Sequence, residues 1–405
     1  MSSPALELSQ KKPPRLDCID ALRGLVMIFM CLDHTREFYF DLRINPEDLE
    51  KTSPLLFATR WITHFCAPTF IFLAGVGAYL YEQKTNSRAR VMQFLFTRGL
   101  WLIFLEFTVV HFGWLQTFSK FAFMFIVIAA IGASMIALGC LIVLPYPAIC
   151  GIGISIVAFH NCLDTIAPAR GTPDSNLFWI FLHTGGYVEE LRLAVGYPIL
   201  SWTGVICCGY GFGRIMLLAP PRRRQICLST GLGCTLLFFA MRWLNAYGDP
   251  STRQLDIDFP ESLMSFLKCT KYPPSLLYLL MTLGPVLIVL AAFDRATDAS
   301  DNDAPGWMQP LLVFGRVPLF FYLVHLYLIS LSSRLLYWIT KGEPISSLAV
   351  ASRYGADFER YPDIFGFPLW ITYPAWILML VTLLPLCHWY GQLKRRSQNP
   401  LLRYL

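Results

Sequence analysis

An all-α fold, a polytopic membrane bundle of about ten transmembrane helices, is what this sequence predicts, and three observations carry the prediction. Of the 405 residues, 55% are hydrophobic and 15% charged, and mean hydropathy is +0.49, a balance suited to lipid rather than water. Ten apolar runs are long enough to cross a hydrocarbon core: 21–41, 62–82, 97–116, 121–144, 146–163, 196–218, 226–244, 275–293, 311–333 and 368–390. The compact basic clusters Lys11-Lys12, Lys84 to Arg90, Arg222 to Arg224 and Lys394 to Arg396 all fall on one side if the N-terminus is cytoplasmic, which is the positive-inside pattern. An even number of crossings then makes the C-terminus cytoplasmic too. The expected division is a polar tail over 1–19, one transmembrane domain over 20–391 and a basic tail over 392–405.

Composition also narrows the function. The formal net charge of +6 is dispersed among loop clusters and builds no groove for phosphates, so no nucleic-acid partner is expected. The 12 cysteines sit mostly in apolar runs without CxxC spacing and read as small core residues. No HExxH or other close ligand pair occurs among the 7 histidines, so no metal is expected. Residues 1–15 lack the apolar core of a cleavable signal, which leaves insertion to the first helix.

The first run opens with Asp20 and Arg23, three residues apart on one helix face, an acid near a helix N-terminus with its ion-pair partner. Arg23 also stands where an anionic cofactor could enter. Asp33-His34 follows, about 14 residues or roughly 20 Å along the helix from Asp20, where a titratable side chain needs a reason. Adjacent side chains diverge by about 100°, so Asp33 need not touch His34, whose helix-face neighbours are Met30, Cys31, Glu37 and Phe38. His34 is either a histidine satisfied inside the bundle or a general base. The second run holds His64 at its outer end, with Arg60-Trp61 as an interfacial anchor and Pro68 as a kink. Gly75-Val-Gly77, Gly151-Ile-Gly153 and the stretch from Gly209 read as close helix packing rather than a dinucleotide loop.

The run from Pro147 is short, and 176–182 is expected to be re-entrant or interfacial. In 311–333, Arg316 and His325 lie nine residues apart, roughly 13 Å along one helix. That spacing suits a ligand with a charged head at the inner surface and a reactive end at His325, and His34 is expected to meet His325 there. Tyr354, Tyr361, Phe365 and Trp370, flanking the last run, could stack on sugars or form an aromatic belt.

Six segments then carry a family resemblance in order: RLDCIDALRGLVMIFMCLDHTR, RWITHFCAPTFIFLAGVGAYL, IGASMIALGCLIVLPYPAICGIGISIVAFHNCLD, YPILSWTGVICCGYGFGR, KYPPSLLYLLMTLGP and GRVPLFFYLVHLYLI. Together they resemble the bacterial branch of the heparan-alpha-glucosaminide N-acetyltransferase catalytic-domain family, over about Arg15 to Tyr390. The opening R-x-x-x-(I/L)-D-x-L-R-G followed by a His is more distantly similar to the acyltransferase-3 family. The resemblance implies a bundle of ten or eleven helices in a bacterial inner (plasma) membrane. There it moves an acetyl group from cytoplasmic acetyl-CoA, the acyl donor, to an amino sugar or related glycan acceptor across the bilayer. A homodimer is compatible with it. By this alignment His34 stands where lysosomal members have an Asn, and the stretch after it lacks their active His, whereas His325 matches a late-helix His. Three alternatives stand open: His34 is the base, His64 serves, or the chemistry has changed.

The resulting expectation places the arm of acyl-CoA between the first and ninth helices. Its phosphates lie near Arg23 and Arg316, close to Asp20, and its thioester lies near His34 and His325. The rival from another class is a transporter whose Asp, Arg and His residues form a pathway.

Overall fold

A computed structural model describes residues 16–41, 43–118, 123–170, 172, 175–254, 258–298, 304–345, 366–397, 399 and 402. The tail over 1–15, Tyr354, Tyr361 and Phe365 lie outside the described residues. Trp370 is described and exposed.

Fifteen α-helices occur among the described residues: α1 (Asp17–Tyr39), α2 (Pro54–Ile62), α3 (Cys66–Thr85), α4 (Arg88–Leu105), α5 (His111–Leu115), α6 (Val127–Leu141), α7 (Tyr146–Phe159), α8 (Leu177–Trp179), α9 (Ile199–Gly213), α10 (Pro220–Leu244), α11 (Glu261–Leu267), α12 (Leu276–Asp298), α13 (Gln309–Arg316), α14 (Pro318–Lys341) and α15 (Leu369–Arg396). Among the described residues, seven helical segments are long and apolar enough to cross a membrane: Pro54–Thr85, Arg88–Leu115, Tyr146–Thr165, Pro220–Leu244, Leu276–Asp298, Pro318–Lys341 and Leu369–Arg396. The chain is thus a helical integral membrane protein, and its backbone polar groups are satisfied within helices as hydrocarbon requires.

Three of the ten expected runs fold differently from full apolar spans. α1 has the length but carries too many charges. In 121–144 the chain runs as a strand and then as α6, only 15 residues long. α9 is equally short and ends in a 3₁₀ turn. The strand is part of a small sheet, order β1-β3-β2, in which β1 (Phe123–Phe125) pairs parallel and β2 (Gly186–Val188) antiparallel with β3 (Leu193–Val195). Strands of three residues are too short to show alternation in the sequence. The 177–184 segment forms α8 and a π-helical turn, too short to span. The basic cluster expected in the tail continues the last helix to Arg396.

The expected single helix over 311–333 is broken. Val317 leaves the helical region at φ −132°, ψ 52°, because Pro318 occupies the first turn of α14 and disfavours helical backbone before it. Arg316 therefore ends one helix and His325 sits on the next.

α1 is wrapped by α3, α12, α13, α14 and α15 and is buried along most of its length. Its approach to α13 is closest where Gly24 lies on the Leu311 carbonyl and Gly315 on the Asp20 carbonyl; a Cβ at either position would collide with backbone. Gly75 and Gly209 form the same kind of crossing between α3 and α9, as small residues at membrane helix crossings do. Because neither partner at Gly315 is a flexible side chain, Gly315→Leu should destabilise the fold by about 3 kcal/mol, the upper end for overpacking. The check is a lowered thermal midpoint of the detergent-solubilised variant. α1 and α15 are further joined by Trp376 Nε1 donating to the Ile28 carbonyl (3.0 Å) and Phe367 N to the Tyr39 carbonyl (3.1 Å).

Candidate functional site

The structure brings His34 and His325 together. His34 Nδ1 lies 2.7 Å from His325 Nε2, with ring centroids 5.0 Å apart and planes nearly parallel. His325, fully buried, has its Nδ1 3.0 Å from the Phe321 carbonyl, which can only accept, so this nitrogen carries a proton. In the neutral ring Nε2 is then an acceptor, and His34 Nδ1 must donate to it. It follows that neutral His34 presents an unprotonated Nε2. The backbone carbonyl on α14 thus fixes the tautomer of a histidine on α1. Trp114 (4.8 Å) and Tyr322 (6.0 Å) pack edge-on against the His34 ring and hold its plane.

Asp33 points away from this pair. It accepts both contacts of a bidentate bond from Arg60 Nη1 (3.0 and 2.8 Å) and one from Arg36 Nη2 (3.2 Å). Arg36 also pairs with Glu37, and Arg60 Nε donates to Glu47 (3.0 Å). Two arginines thereby engage three carboxylates and lock the last turns of α1 to α2. Arg60, expected as an interfacial anchor, is a member of this buried network. His64 sits on the 3₁₀ turn after α2 with Nε2 3.6 Å from Glu47 Oε1, and the hydroxyl of Tyr278 donates to its carbonyl (2.8 Å). It joins the charge network rather than the His34–His325 pair.

Glu47 lies in the loop between α1 and α2. Burial alone would raise its carboxyl, but the Arg60 and His64 charges outweigh burial and hold it below the usual glutamate range. A carboxyl with a depressed folded-state pKa stabilises the fold above its unfolded value, and the contribution fades as pH falls through that range toward the folded value. Thermal midpoints should therefore drop on acidification below about pH 4.5. Glu47→Gln should flatten that drop.

A cavity of about 400 Å³ is bounded by α1, α3, α4, α6 and α14; neither His34 nor His325 is among the residues that line it. Met27, Met30, Phe70 and Leu73 make its wall apolar, Arg23 and Arg98 stand at one end and Tyr322 lines it as well. Tyr322 connects cavity and chemistry, since its ring is also 5.4 Å from His325. Its hydroxyl is buried without a well-formed hydrogen bond. Arg23 and His34 are eleven residues apart on α1, roughly 16 Å.

Arg23 Nη1 donates to Asp20 (2.9 Å) and to the Gly315 carbonyl (3.0 Å), so the close α1–α13 approach positions it. Arg316 does not line the cavity; its Nη2 donates to Asp17 (3.0 Å). The break before Pro318 turns it away, and Arg98 from α4 stands in the cavity wall. Sequence reasoning missed Arg98, Trp114 and Tyr322. Arg36 was legible in principle, three residues after Asp33, as an ion-pair spacing.

No curated protein matches the chain. The profile of the family described as "Heparan-alpha-glucosaminide N-acetyltransferase, catalytic" matches residues 15–247, which covers the Arg23 end of the cavity, His34 and the Arg60 network and leaves His325 outside. With more than half of its length matched, this chain belongs to the heparan-alpha-glucosaminide N-acetyltransferase catalytic family.

Proposed function

We propose that this membrane acetyltransferase takes an acetyl or other short acyl group from cytoplasmic acyl-CoA and delivers it to an amino sugar or related glycan acceptor reaching the His pair from the other side of the membrane. The observation that carries this reading is the His34 Nδ1 to His325 Nε2 contact, which leaves a basic Nε2 on a ring packed against Tyr322, a residue that also lines an apolar cavity suited to a thioester arm. Ten crossings, counting α1, α6 and α9 as membrane-embedded, return the chain to its starting side, and the basic clusters support the cytoplasm as that side and as the side of the Arg23 end.

In the direct route, His34 Nε2 removes a proton from the acceptor amine or hydroxyl as its nitrogen or oxygen bonds to the thioester carbon. The C–S bond breaks, and the departing thiolate takes the proton back from the His34 imidazolium to leave as CoA. The two-step route has Nε2 itself attack, expelling CoA thiolate and forming an acyl-imidazolium; the acceptor nitrogen or oxygen then bonds to the acyl carbon, the C–N bond breaks to free Nε2, and the proton the acceptor loses goes to the thiolate. In both routes positive charge on His34 is relieved through Nδ1–H toward His325. The Tyr322 hydroxyl is placed to donate to the thioester oxygen as it becomes anionic, in a site poor in competing water. Arg23 and Arg98 supply charge for the CoA phosphates.

Proteoliposomes test the reading. With radiolabelled acetyl-CoA outside and glucosamine in the lumen, the expected result is labelled N-acetylglucosamine inside with CoA released outside. Exit of unmodified glucosamine from the lumen without CoA release would overturn it in favour of transport.

A further inference from the structure

A second concave surface lies apart from the cavity that holds Arg23 and Arg98. α13 and the last third of α15 enclose a groove of about 480 Å³ that shares no lining residue with that cavity. Pro310 and Val313 come from α13, Leu384, Pro385 and Trp389 from α15, and they make the lining largely apolar. The groove opens on the lipid side of the bundle: Trp389 is 59% exposed, and Ile377, Leu378 and Val381 on the same helix are exposed as well.

Polarity along α15 changes in a fixed order. His388 and Gln392 complete the lining, with Gln392 Nε2 2.7 Å from His388 Nε2. That contact uses one N–H of the pair and leaves the second Gln392 amide N–H for an outside oxygen. Positions 384, 385, 388, 389 and 392 follow one helix face, and the next turn of that face holds Arg395 and Arg396, both exposed. Neither α13 nor α15 contains an acidic residue that would neutralise them. From Leu384 to Gln392 is about 12 Å along the helix, and Arg396 lies about 6 Å further. One leaflet has nearly the same depth, about 15 Å of hydrocarbon and about 6 Å of headgroup. Apolar, hydrogen-bonding and cationic levels thus succeed one another as acyl chain, glycerol ester and phosphate do. A basic cluster by itself only attracts anionic lipid diffusely, whereas here it caps a groove that gives the lipid a seat.

We propose that the α13–α15 groove binds one anionic phospholipid. Its phosphate lies at Arg395 and Arg396, its glycerol region at His388 and Gln392, and one acyl chain against Val313, Leu384 and Pro385. The assignment does not depend on acyl transfer.

Native mass spectrometry tests it, on the full-length protein ejected from nanodiscs of equimolar palmitoyl-oleoyl phosphatidylglycerol and phosphatidylcholine. The expected spectrum shows one phosphatidylglycerol retained about tenfold or more over phosphatidylcholine, a ratio that two basic side chains at a headgroup supply. Arg395→Gln combined with Arg396→Gln should bring the ratio close to one. The charge-matched pair Arg90→Gln and Arg222→Gln, exposed in other basic clusters, should leave it intact. Val313→Trp fills the groove and should remove the retained lipid. Equal retention of the two lipids by the wild-type protein would overturn the proposal however the variants fold. So would a ratio that survives loss of Arg395 and Arg396, or a lipid still retained by Val313→Trp. An equal fall in both arginine pairs would overturn it too, because the preference would then belong to surface charge as a whole.

Discussion

Replacing His34 with Ala is expected to lower acyl transfer by about 10²–10⁴-fold, the range for loss of a positioned general base, with the protein still folded and in the membrane. The direction follows from the proton positions. His325 Nδ1–H is committed to the Phe321 carbonyl, so its Nε2 accepts from His34 and the basic lone pair is that of His34 Nε2. No other side chain on α1 replaces it: Asp33 is held by Arg60 and Arg36, and Glu37 by Arg36. Single-turnover transfer from labelled acetyl-CoA, with thermal midpoint and gel-filtration profile as controls, checks the outcome. Unchanged transfer in a folded variant removes His34 from the mechanism. His325→Gln should have a smaller effect, because it removes the acceptor that fixes the His34 tautomer but leaves the base.

Replacing Arg60 with Met should give the largest loss of stability, about 3–5 kcal/mol, as expected when one partner of a buried ion pair is removed. Arg60 is the single donor shared by Asp33 and Glu47, and its loss leaves Asp33 with Arg36 alone and Glu47 with only its His64 contact. The turn of α1 that carries His34 loses its anchor to α2, so activity should fall along with the thermal midpoint. Adding Asp33→Leu should recover part of the stability, since one stranded charge is removed, without restoring the position of His34. A thermal melt of the single and double variants separates these two effects.

Much of this was legible in the sequence, for definable reasons. Long apolar runs with basic loops reveal a membrane bundle because hydrophobic length and loop charge are local properties. Asp20 and Arg23 were readable as a pair because three residues is a helix-face distance, and they do pair. The encounter of His34 with His325 spans 291 residues and was anticipated only because a membrane histidine demands a partner. What stayed hidden depends on tertiary placement. Arg316 and His325 were read on one unbroken helix, and the signal against that, Pro318, was present but not weighed. Arg98 sits on α4 among basic residues that resemble any positive-inside cluster.

The central claim is that a thioester arm enters past Arg23 and Arg98 and ends at His34. A cryo-electron-microscopy structure of the wild-type protein with a non-hydrolysable thioether analogue of acetyl-CoA tests it most directly. The expected density runs through the cavity, with phosphates beside Arg23 and Arg98. If His34 itself attacks, the carbonyl carbon should lie about 3–3.5 Å from His34 Nε2, the separation of a near-attack geometry. If His34 acts as a base, one acceptor-sized gap should separate them. Analogue bound elsewhere, or seated with its carbonyl pointing away from the His34–His325 pair, would contradict it.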